Sequence, residues 1–150
     1  MAVAQLPRRL SPSATHGHPP ARSGSASSPA ALASQARSVL AESARADTAA
    51  DRFRLAHLAA LRTAAVVFAQ RGRPAGRRRA LVSAWVLLAD LAPDYVEWAS
   101  YFAAGAAARA AVEAGATSAV TARDADDQLR AAAEFLRLVE ASLGLLPLAG

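Results

Sequence analysis

The chain has no cysteine and no lysine, and only 5% of its 150 residues are aromatic. Without cysteine there is no disulfide, no thiol nucleophile and no thiolate zinc site. Without lysine, all 17 basic residues are arginine, and against 12 acidic residues they leave a formal net charge of +5. Strand signals are missing too, since no stretch alternates apolar and polar residues for long and the β-branched residues are scattered. No apolar run approaches the ~20 residues that a membrane-spanning helix needs. Ala80 to Ala89 is too short, and Ala99 to Val112 is broken by Arg109. Pro7, Arg8 and Arg9 interrupt the N-terminus before the apolar core of a secretory signal can form. These absences lead us to expect a cytoplasmic protein that does not enter a membrane. There is also no glycine-rich phosphate loop after a strand, no HExxH and no nucleophile elbow. Glu42, Glu97, Glu113, Glu134 and Glu140 are too scattered for the Glu-x-x-His pairs of a di-metal bundle. No metal and no cofactor is expected.

What is abundant is alanine. The chain is 53% hydrophobic, mostly through this residue, which favours helix over strand and lets helices approach closely. The length suggests one domain large enough for a real core. Residues 1–27 are rich in Pro, Ser, Gly, Ala and Arg without any period, and read as a disordered tail. His16 and His18 lie there as HGH, a pair that would need further ligands to hold a metal.

From Ser28 onward the pattern is helical. Ser28-Pro29 suits a helix start, and Leu32, Gln35, Ala36, Val39, Leu40 and Ser43 make a modest face that ends near Ala46. The second helix spans Asp47 to Gly72. Thr48 is its cap, Asp51 completes a capping box, and Phe53, His57, Leu61, Ala64 and Phe68 line one side. Ser83 opens a short third helix through Trp85 to Leu91. Asp94 and Glu97 predict a second capping box for a helix from about Tyr95 to Ala114. Small residues around Gly105 would let another helix come close. Thr121 and Asp124 predict a third box. The last helix then carries Ala125, Leu129, Ala132, Leu136, Val139 and Leu143 at alternating steps of four and three, the seam of a bundle. Trp85, Tyr95 and Trp98 fall at core-like positions. Asp124, Asp126 and Asp127 sit where the positive end of the helix dipole favours acids.

Two features carry candidate chemistry. The segment from Arg71 to Arg79 holds five arginines, Arg71, Arg73, Arg77, Arg78 and Arg79, broken by Gly72, Pro74 and Gly76. Guanidinium forks match phosphate oxygens bidentately, so this segment is a candidate phosphate or nucleic-acid contact. Without interleaved aromatics it offers no platform for stacked bases. Its alternative is a solvated connecting loop. The other feature is His57, between Phe53 and Leu61 on the apolar side. It reads as a core histidine bonded to a carboxylate, a tyrosine or a backbone oxygen of another helix, as a catalytic acid or base, or as a dimer-interface residue.

The stretches DRFRLAHLAALRTAAVVFA, SAWVLLADLAPDYVEWASYFAAGAAARAAVEAG and VTARDADDQLRAAAEFLRLVEASL, joined by the basic segment, resemble a family of small actinobacterial proteins of the HEPN superfamily. The resemblance covers roughly Ala30 to Leu143. It implies an all-α, four-to-five-helix up-down bundle over residues 28–146, commonly dimeric, that binds RNA or nucleotides. Catalytic HEPN domains carry an arginine and a histidine four to six residues apart. Arg52-Phe53-Arg54-Leu55-Ala56-His57 has that spacing. The resemblance therefore implies metal-independent ribonuclease chemistry. His57 would move a proton at a ribose hydroxyl or leaving oxygen, and Arg52 or Arg54 would steady the phosphate. The competing expectation is a non-enzymatic helical module for dimerisation or protein interaction, and a third is association with DNA. An enclosed His57 favours the module, and a cleft shared with Arg52 or Arg54 favours the ribonuclease.

Overall fold

The structure, a computed structural model, describes residues 28–72 and 83–144. The expected disordered tail (1–27) and most of the basic segment, including Arg73, Arg77, Arg78 and Arg79, lie outside the described residues.

Within the described residues there are five α-helices and no strand. The side chains that read as caps start four of them. Ser28 Oγ accepts the Ala31 amide at 3.1 Å and opens α1 (Pro29–Arg45), and Thr48 Oγ1 accepts the Asp51 amide at 3.1 Å and opens α2 (Ala49–Arg71). Ser83 Oγ takes the Val86 amide at 3.3 Å ahead of α3 (Ala84–Leu91). Gly72 ends α2 at φ 86°, a left-handed conformation that favours glycine. The Thr48 box is only half formed, because the Asp51 carboxylate faces Arg54 at 3.6 Å.

The capping box expected from Asp94 and Glu97 does not form. Asp94 lies in a 3-10 turn (Pro93–Tyr95), and α4 (Val96–Glu113) starts with no side-chain cap. Both Asp94 carboxylate oxygens instead take the Arg71 guanidinium, at 2.6 and 2.8 Å, and Arg71 also lies 5.3 Å over the Tyr95 ring. A bidentate charge-assisted pair is stronger than one neutral cap bond, and the turn satisfies its own amide by Tyr95 N–H to Ala92 C=O at 2.8 Å. The Arg71 hydrogen bond holds the Asp94 carboxyl below the usual carboxylate range. The third box does form. Thr121 Oγ1 accepts the Asp124 amide at 3.1 Å and Asp124 Oδ2 accepts the Thr121 amide at 2.8 Å, opening α5 (Ala122–Ser142).

Side-chain pairs give the directions. Ser43 Oγ, near the end of α1, donates to the Arg52 carbonyl at the start of α2, so these helices run antiparallel. Arg52 meets Asp126 and His57 meets Gln128, so α2 and α5 run the same way. Phe102 lies against His57 and Gly105 against Phe53, so α4 runs against α2. The result is an up-down-up-down bundle of α1, α2, α4 and α5, with α3 laid beside it through Trp85.

The α2 helix touches all four others. That is why it buries more than one stripe. Leu55, Ala56, Ala59, Ala60, Val66 and Val67 are buried along with Phe53, His57, Ala64 and Phe68, while Leu61 is only half-buried. Alanines let the neighbours in. A Cβ on Gly105 would stand 3.5 Å from the Phe53 ring, so α4 reaches α2 at van der Waals distance there. The core is completed by an aromatic group in which Phe102 stacks on Trp85 and Trp98 and meets Phe135. Trp85 and Tyr95 are buried, as their helical positions predict.

Candidate functional site

His57 projects from the third turn of α2 into the space between α3, α4 and α5. It is 1% exposed. The Trp85 and Phe102 rings meet it edge to face, at centroid distances of 5.5 and 6.3 Å. Its Nδ1 lies 3.2 Å from Gln128 Nε2 on α5. With a neutral ring, Nδ1 accepts from the carboxamide and the ring proton sits on Nε2. Its pKa is lowered from 6.5 to about 4, first by burial and then by the nearby Arg109 charge, with Glu113 acting the other way. At neutral pH the ring is therefore uncharged. It has no imidazolium proton to give, and it is a weak base compared with one poised near the operating pH.

Arg52 and Arg54 are placed elsewhere. Five steps along a helix turn a side chain by ~140°, which takes Arg52 away from the His57 side. There its guanidinium pairs with Asp126 at 2.7 Å and donates to the Ala46 carbonyl at 3.2 Å, bracing the α1–α2 connection against α5. Arg54 lies in a shallow cleft between the starts of α2 and the end of α4, walled also by Thr48, Asp51, Glu113 and Thr117. His57 is not part of that wall. The three residues singled out for ribonuclease chemistry are thus on one helix but do not share a cleft. Arg71 is engaged by Asp94 and Tyr95, as described above, and Arg73, Arg77, Arg78 and Arg79 fall outside the described residues.

The polar partner of His57 has no counterpart among the residues that the sequence singles out. Gln128 is 2% exposed and sits on the α5 seam, three positions after Ala125 and four before Ala132. A polar residue at a seam position of an otherwise apolar stripe is the signal that could have found it. Arg109 and Glu113, one turn apart on α4, bond to each other at 3.0 Å and set the field His57 feels.

A second concavity lies on the opposite side of Gln128. It is a groove between α4 and the start of α5, floored by Phe53, Gly105, Ala108 and Val120 and edged by Tyr101, Asp124 and Asp127. No group of three or more potential metal ligands occurs among the described residues, and no helix there is long and apolar enough to cross a membrane.

No curated protein and no solved structure matches the chain. The profile of the family described as SAV_6107-like HEPN matches residues 43–140, from the last turn of α1 through nearly all of α5, about two thirds of the sequence. Its span takes in the α2–α5 framework that holds His57 and Gln128, and on that match the chain belongs to the SAV_6107-like HEPN family.

Proposed function

We propose that this HEPN domain is a non-catalytic interaction module, with residues 28–146 acting as one unit in the cytoplasm and His57 serving as a structural residue. The observation that carries this reading is the enclosure of His57: 1% exposed, bonded to Gln128, and remote from any cleft shared with an arginine. A ribose hydroxyl has to come within hydrogen-bond reach of a catalytic base, and this ring offers it no approach. In this reading the module self-associates, and Val86 and Val96, 50% and 46% exposed on α3 and α4, are the apolar side chains that a second copy would cover. Sedimentation equilibrium should return a homodimer, and Val96→Asp should shift it to monomer without loss of helicity.

RNA or nucleotide contact remains the second reading, favoured by the net charge of +5 and the five arginines between Arg71 and Arg79. One experiment separates the two. Purified protein and His57→Gln are incubated with a mixed RNA pool in EDTA at two salt concentrations, and the Arg77, Arg78 and Arg79 triple alanine variant is run beside them. The module reading expects no cleavage by any of them. Cleavage that survives EDTA and vanishes in a folded His57→Gln would overturn it. Salt-sensitive binding that weakens and loses salt slope in the triple variant would establish the second reading.

A further inference from the structure

We draw no further inference here: the strongest candidate, the exposed and uncharged outer face of α4 at Ser100, Ala103, Ala107 and Ala110, is a stripe of small residues, and nothing in the structure shows what covers it.

Discussion

Phe102→Ala is expected to destabilise the domain by about 3–5 kcal/mol, the range for emptying a fully buried aromatic site. Phe102 is 0% exposed. Its ring lies 5.1 Å from Trp85, 5.7 Å from Phe135 and 6.3 Å from both Trp98 and His57. These neighbours come from α2, α3, α4 and α5, so the ring stands where four helices meet. They are large, rigid rings, with Trp98 stacked on Phe135 and His57 edge-on to Trp85, and cannot close over the hole as flexible side chains would. For a domain of this size, the loss corresponds to a fall in Tm of roughly 10 °C or more. Urea unfolding with an unchanged m-value would measure it. A loss below about 1.5 kcal/mol, the range of tolerated volume-conserving swaps, would mean that the core relaxes far more than the stacking suggests.

Stability should also fall steeply on mild acidification, and His57 is the cause. In the unfolded chain its pKa is near 6.5, and in the folded chain about 4. Between those values the unfolded state binds a proton that the folded state refuses. The contribution is fully present above pH 6.5 and is lost as the pH falls through about 4. A gap of this size corresponds to about 3 kcal/mol. Asp94, Asp124 and Glu134 have folded pKa values lowered by their hydrogen bonds, to Arg71, to Thr121 and to Arg137, so their losses come at the acid end of the range. The stretch from pH 6.5 to 4.5 therefore belongs to His57. In urea titrations, His57→Gln should lose the slope over that interval whatever its stability at pH 7. A parent protein whose stability is flat there would contradict a neutral, enclosed ring.

Much of the fold was legible because helix ends are written locally. Ser28, Thr48, Ser83 and Thr121 each stand at a helix start in the sequence and each makes its cap bond. The exception is Asp94, whose carboxylate is taken by Arg71, 23 positions earlier in the chain, and no local pattern announces such a pair. The α5 seam was nearly right. The sequence favours Leu129 for its apolarity, yet Leu129 is half-buried while Gln128 beside it is enclosed, because a hydrogen bond to His57 offsets the cost of burying the carboxamide. The burial of His57 follows from its place between Phe53 and Leu61. Its partner lies 71 residues away, and only folding brings the two together. Arg52 shows the limit from the other side. Its spacing to His57 suggests catalysis, whereas its contacts with Asp126 and the Ala46 carbonyl are those of a brace.

The first helix carries a lesson about what is inherited and what folds. The family profile begins at residue 43, after most of α1 has passed. Yet Arg37 on α1 pairs with Glu140, whose side chain is only 6% exposed near the end of α5. Losing that arginine would leave a largely enclosed carboxylate without its partner. Removing the helix would also take away Ala33 and Ala36, both 0% exposed, and uncover the core they pack against. The segment that similarity recognises is therefore smaller than the cooperative unit. A fragment trimmed to residues 43–140 would keep the family's signature and give up the helix that closes the fourth wall of its core.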